Sequence, residues 1–193
     1  MEVYIVLTNT RTLFTRLIKL FTKQPLNHAS ISFSKDLYST FSFGRKKANN
    51  PFIGGFVKED LAGQLFKYAD CAIYSCSVSR MQYELMRRFV QQIEINQYSY
   101  KYNFIGLLGV LLNRKIDNKK SFFCSQFVAA VLKRGGITIE NKPESLIKPS
   151  DFMDSEDFQL LYEGKLIKFL EQQGENINRS LQQESNDYIC LPS

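Results

Sequence analysis

Between Asn27 and Gly44 the chain alternates apolar and polar residues through two consecutive runs, and this double period-two pattern constrains the fold more than anything else in the sequence. In His28-Ala29-Ser30-Ile31-Ser32-Phe33, the residues Ala29, Ile31 and Phe33 share one face of an extended strand while His28, Ser30 and Ser32 share the other. Ser34-Lys35-Asp36 follows as a polar turn, and from Tyr38 to Gly44 the alternation resumes, with Phe41 and Phe43 opposed to Thr40 and Ser42. Two such runs joined by a short turn predict an antiparallel hairpin with one apolar face and one hydroxyl-bearing face.

Helical periodicity surrounds this hairpin. Val3 to Thr8 predicts a first strand, and Leu13, Phe14, Leu17, Ile18 and Phe21 then recur at helical spacing, with Thr10 as N-cap and Gln24-Pro25 as the stop. Gly44 to Gly55, with its glycines and Asn49-Asn50-Pro51, predicts an irregular surface loop. Cys71 to Val78 predicts another strand. Ser79 with Gln82 forms a capping box for a helix whose apolar stripe reads Met81, Leu85, Phe89 and Ile93. A short, very apolar helix is expected over Asn103 to Leu112. Ser121 is the expected N-cap of the next helix, buried through Phe123, Phe127, Val128, Val131 and Leu132 and closed by Gly135-Gly136. Phe158 to Tyr162 and Lys165 to Phe169 flank Glu163-Gly164 as a second hairpin signal. The expectation is one α+β domain over residues 1–170, then a polar tail over 171–193 that is a frayed helix or disordered.

The chain has 193 residues and a formal net charge of +6, which favours anionic partners weakly. Arg45-Lys46-Lys47, Arg114-Lys115 and Lys119-Lys120 read as solvated loops, with contact to an anionic membrane or lipid as the alternative. No nucleic-acid motif accompanies them, so nucleic-acid binding is not expected. No apolar run approaches the ~20 residues of a membrane span. Cysteines at 71, 76, 124 and 190 show no disulfide framework, and the start lacks a signal-peptide pattern. Reduced thiols and a cytoplasmic location are expected.

Among the cysteines, Cys124 has the position that suits a nucleophile. With Ser121 as cap it falls near the third residue of a helix, where free backbone N–H groups and the helix dipole favour a thiolate. Cys71 and Cys76 lie in an apolar strand, and Cys190 lies in the tail. His28 is the only histidine, and its strand face turns it away from Ala29 and Ile31, toward a cleft or solvent. A Cys/His pair is the minimum for an activated thiol. Ser42, on the adjacent strand and the same face, is the candidate for orienting the imidazole, with Thr40 beside it. A hydroxyl there accepts a hydrogen bond but supplies no charge.

Asn27-His28-Ala29-Ser30-Ile31-Ser32-Phe33, followed much later by Ser121-Phe122-Phe123-Cys124-Ser125-Gln126-Phe127-Val128-Ala129, resembles the NlpC/P60 superfamily. The order, histidine before cysteine, is similar to its circularly permuted branch, which includes YiiX-like and lecithin:retinol acyltransferase-like proteins. Tyr102 to Leu112 and Pro149-Ser150-Asp151-Phe152 also resemble that branch. The resemblance implies a papain-like α+β fold, an antiparallel sheet carrying His28 against the helix of Cys124. It implies thiol-mediated acyl transfer on an amide, ester or thioester, with a small acyl, amide or peptide substrate and no metal or organic cofactor. Many permuted members carry a charged or imidazole residue where Ser42 falls. That difference supports the alternative of a binding module that keeps the fold without the activity. Phe104 to Leu112 and Phe52 to Phe56 are either the lining of an acyl-binding groove or ordinary core and loop anchors.

Overall fold

The computed structural model describes residues 1–10, 25–47, 50–103, 121–140 and 142–176, without the side chains of 45–47, 50–53 and 101. The helix expected after Thr10, most of the apolar 103–112 segment, the basic clusters at 114–115 and 119–120 and the tail beyond 176 lie outside what is described, while Arg45-Lys46-Lys47, expected in a loop, is described in its backbone and belongs to a strand. So does Cys190.

The hairpin read from alternation is the centre of a six-stranded antiparallel sheet. Its strands are β1 (Glu2–Asn9), β2 (His28–Ser32), β3 (Thr40–Lys47), β4 (Asn50–Lys58), β5 (Asp70–Ser77) and β8 (Gln159–Lys165), in the spatial order β4-β3-β2-β1-β5-β8. All five ladders are antiparallel. Two short strands, β6 (Lys101–Tyr102) and β7 (Ser121–Phe122), pair in parallel beside it. Helix α1 (Arg80–Ile95) and helix α2 (Cys124–Arg134) cover one face; residues 166–176 form a third helix, α3.

Both faces of the sheet are covered, which explains why β1 is apolar throughout rather than alternating. Val3, Ile5 and Leu7 join Ala29, Ile31, Phe41 and Phe43 against α1 and α2. On the opposite face Tyr4, Val6 and Ile73 meet Leu61 and Phe66 and, from α3, Leu166 and Phe169. Phe43, fully buried, is packed among the rings of Phe56, Phe122 and Phe127 at centroid distances of 6.0, 5.1 and 5.2 Å. Truncating such a ring costs about 3–5 kcal/mol, so this cluster fixes how α2 sits against β3 and β4.

Four sequence expectations are corrected. The segment 44–55 is not a loop: β3 runs to Lys47 and β4 starts at Asn50. Its glycines serve close approach, since a Cβ at Gly54 would lie 2.9 Å from the Gly44 carbonyl oxygen and 2.9 Å from the Tyr102 side chain. In α1 the capping box of Ser79 and Gln82 is present, but the buried stripe is Met86, Val90 and Ile93, whereas Met81 and Leu85 are exposed. Glu163-Gly164 is not a turn but lies within β8, which passes directly into α3. Ser121 is not the cap of α2: it pairs with Lys101 in β7, and Phe123 is the N-cap. Gln126 supplies the capping contact, its Oε1 accepting from the Phe123 N–H at 3.4 Å.

α2 ends as its sequence directs. Lys133 and Arg134 occupy the last turn, favourable for the helix dipole, and Gly136 follows with φ of 79°. Gly135 admits Met86 of α1, whose Cε would be 2.1 Å from an added Cβ. At its other end, Ser125 Oγ donates to the Ile147 carbonyl at 2.6 Å and ties the first turn of the helix to the loop that follows it.

Candidate active site

The β2–β3 ladder is short. It comprises Ser32↔Thr40 and Ile31↔Phe41, and the Phe33 N–H donates to the Ser39 carbonyl at 3.0 Å just before it. Residues 33 and 31 therefore turn their N–H groups toward β3, and Ala29, two residues further, turns its own the same way. The ladder does not continue there. The Ala29 N–H instead donates to the sulfur of Cys124. The thiol is thus seated where two strands part, at the first residue of α2.

Cys124 is 6% exposed and receives a second backbone hydrogen bond, from the Ser125 N–H. Its side-chain partner is His28, and the two side chains are hydrogen-bonded to each other. The pair singled out in the sequence is therefore brought together from strand and helix, at the place where β2 and β3 part.

The other side of the imidazole is held by a group the sequence reading missed. His28 Nε2 lies 2.8 Å from Glu59 Oε1, with side chains 17% and 6% exposed respectively. A carboxylate only accepts, so Nε2 carries a proton and Nδ1 is the nitrogen available to the thiol. Ser30 Oγ is a weaker neighbour of Nε2 at 3.3 Å. Glu59 immediately follows β4, and its N–H is anchored on the Thr40 carbonyl at 2.9 Å.

Ser42 stands on the expected face but in a different role. Its hydroxyl donates to Glu59 Oε1, so it positions the carboxylate and acts on His28 through it. Gly44 completes the arrangement: a Cβ there would be 3.3 Å from His28 Cε1 and 3.3 Å from Ser42 Oγ. The absence of a side chain at this position leaves the room that the imidazole occupies.

The electrostatics follow from these contacts. Burial raises the Cys124 thiol, but the hydrogen bond and positive charge of His28, with the N–H groups of Ala29 and Ser125, outweigh it and lower the pKa below the usual value of 9.0. Burial alone would lower His28; hydrogen bonds to Cys124 and Glu59 and the negative charge of both raise it well above 6.5 instead. Thiolate, imidazolium and carboxylate form one chain, with its excess negative charge met by backbone donors at a helix start.

Glu59 escaped notice because its strand did. Once β4 pairs with β3 in the register Ser42↔Val57, Glu59 falls on the face of Ser42 and His28. The period-two signal of β4 is interrupted by Gly54 and Gly55, which removes the side chains that would have revealed it.

Among the described residues no group of three or more His, Cys, Asp or Glu side chains could hold a metal ion, and no helix is long and apolar enough to cross a membrane. No protein-family model matches the chain, and no curated protein matches it.

Proposed function

We propose that this protein is a cysteine hydrolase or acyltransferase of the permuted NlpC/P60, papain-like kind, acting on an amide, ester or thioester carbonyl. The observation that carries the reading is the chain Cys124–His28–Glu59: a thiol at a helix start, hydrogen-bonded to an imidazole whose far nitrogen is held by a buried carboxylate. A nucleophile, a base and a group that orients the base are the parts acyl transfer needs.

In this reading the Cys124 thiolate attacks the carbonyl carbon and the carbonyl π pair moves onto oxygen. The N–H of Cys124 itself, in the first turn of α2 and free of an intrahelical partner, is placed to meet that oxyanion. Collapse of the adduct breaks the bond to the leaving group, and His28 gives its proton to the departing nitrogen, oxygen or sulfur. A thioester on Cys124 remains. Water or another acceptor, deprotonated by His28, then attacks the thioester and restores the thiolate and imidazolium. Glu59 keeps the imidazole oriented and favours its charged form throughout.

The alternative of a binding module without activity rested on Ser42 as the sole orienting group. Glu59 removes that motive.

The test is direct acylation. Incubation with short-chain p-nitrophenyl esters or acyl thioesters, quenched in acid, should add the acyl mass to the peptide containing Cys124, and Cys124→Ala should abolish turnover. Lack of acylation at Cys124, together with alkylation by iodoacetamide no faster than a free thiol at neutral pH, would overturn the reading.

A further inference from the structure

On the face of the sheet away from α2, a cavity of about 430 Å³ opens between the turn after β2, the end of β4 and α3. That volume lies within the ~300–1,000 Å³ of small-molecule sites. Its apolar part is made by Leu37, Leu61 and Leu170. Three carboxylates, Asp36, Glu59 and Asp60, border it, against one cation, Lys58. The ammonium of Lys58 already lies 4.5 Å from the centre of the Tyr38 ring.

Two further features mark this cavity as built. Leu37 is 2% exposed and sits at φ of 62°, a left-handed conformation that a leucine adopts only when its surroundings hold it there. The Thr40 hydroxyl does so, donating to the Leu37 carbonyl at 2.6 Å, while the Leu37 N–H reaches the Ser34 carbonyl at 3.1 Å. Glu59, moreover, is shared: it lines the cavity and its Oε1 holds His28, whereas neither His28 nor Cys124 lines the cavity.

We propose that this cavity binds a small alkylammonium, with the hydrocarbon stem against Leu37, Leu61 and Leu170 and the cationic head among Asp36, Glu59 and Asp60. Apolar walls without carboxylates would suit a neutral lipid, and carboxylates without apolar walls would suit a hydrated ion; the combination selects an amphipathic cation. The ligand reaches the active site electrostatically, because a positive charge beside Glu59 competes with His28 for the same carboxylate. Binding itself does not rest on the acyl-transfer reading.

His28 is the only histidine in the chain, so its ring protons give one resolved NMR reporter 2.8 Å from Glu59. Wild type and Cys124→Ala are titrated with n-hexylammonium, with neutral n-hexanol, and with N-acetyl-lysine-methylamide as the peptide-borne form of the same chemistry. The expected result is a saturable His28 shift with the ammonium in both proteins, and binding of hexanol weaker by roughly tenfold or more. Saturation by the lysine amide at a lower concentration than by hexylammonium identifies a peptide source, and the reverse a free amine. Leu170→Gln should weaken the response about tenfold; Asp36→Asn, on an exposed turn, gives a second variant that should weaken it too. Absence of saturation with either cation, equal binding of hexanol, or no change in both variants overturns the proposal. Because Cys124→Ala is included, loss of acyl-transfer activity and loss of this binding are read separately.

Discussion

Cys71 in β5 and Cys124 at the start of α2 are both buried thiols, 1% and 6% exposed, yet their acidities move in opposite directions. Burial pushes Cys71 up to about 12, helped by the negative charge of Asp70, with one backbone hydrogen bond from Gly164 too little to compensate. Cys124 suffers the same desolvation but gains an imidazolium and two backbone N–H donors, and its pKa falls. Cys76, also in β5, follows Cys71 upward through burial. Burial therefore says nothing by itself about reactivity; the donors around the sulfur decide it.

Removing the imidazole should have the largest effect, because it takes away the positive charge that most separates Cys124 from Cys71 and leaves two backbone donors against the burial. His28→Ala should slow iodoacetamide alkylation of Cys124 at neutral pH and move the midpoint of its pH–rate profile upward past 9. On an acyl ester it should cost on the order of 10³-fold or more in kcat/KM. A variant whose Cys124 reacted as fast as in wild type would show that the two backbone donors suffice, and the comparison would then turn on the helix start rather than on His28.

Glu59→Gln comes next. The amide keeps the shape and can still take the Nε2 proton, but the negative charge that raises His28 is gone. The His28 ring should titrate at lower pH in an NMR titration, and turnover should fall about 10²-fold. The pair also shapes stability against pH. The raised His28 contributes stability that is full below its unfolded value of 6.5 and is lost as pH rises through its folded pKa. The lowered Cys124 contributes stability that is full above 9.0 and is lost as pH falls through its folded pKa. Above the folded pKa of Cys124 and below 9.0 the two slopes oppose each other, so urea midpoints attributable to the pair should drop on the alkaline side of 9.0, where only the loss from His28 remains. Glu59→Gln should bring the alkaline drop to lower pH.

The hairpin of β2 and β3 was legible because one of its two buried faces carries apolar side chains and the other hydroxyls, and that alternation placed His28, Ser30 and Ser42 together. Cys124 was legible as a helix-start residue, although the cap is Phe123 rather than Ser121; a backbone-paired β7 precedes α2 and no side-chain cap is needed where Gln126 reaches back. What the sequence concealed was set by tertiary contact. Gly54 is small because Tyr102 crosses it, so β4 read as a loop and Glu59 stayed unplaced. In α1, Met81 and Leu85 fit a helical stripe as well as Met86 and Val90 do; only the position of α2, with Met86 against Gly135, selects between them.

A smaller effect is expected at Gly44, where the added methyl of Gly44→Ala meets His28 Cε1 and Ser42 Oγ at 3.3 Å each. Those contacts are tight without being impossible, so the ring must give by a few tenths of an ångström. Alkylation of Cys124 should slow by only a few-fold, about 1 kcal/mol or less, while far-UV circular dichroism stays unchanged. A loss as large as that of His28→Ala would mean that the imidazole has no room to adjust.

The smallest effect belongs to the other half of the comparison. Cys71→Ala removes a thiol that is protonated at neutral pH and makes no contact with His28, so acyl transfer and the labelling rate of Cys124 should match wild type. The cost should appear only in stability, as the loss of one buried sulfur from the packing against α3, about 1 kcal/mol in a urea titration. In the native protein, iodoacetamide should label Cys71 far more slowly than Cys124 at pH 7, and in urea the two should converge, because unfolding removes the donors of one and the desolvation of the other. If the difference in rate persisted in the unfolded chain, it would come from local sequence, and neither the helix start nor the parted strands would be its cause.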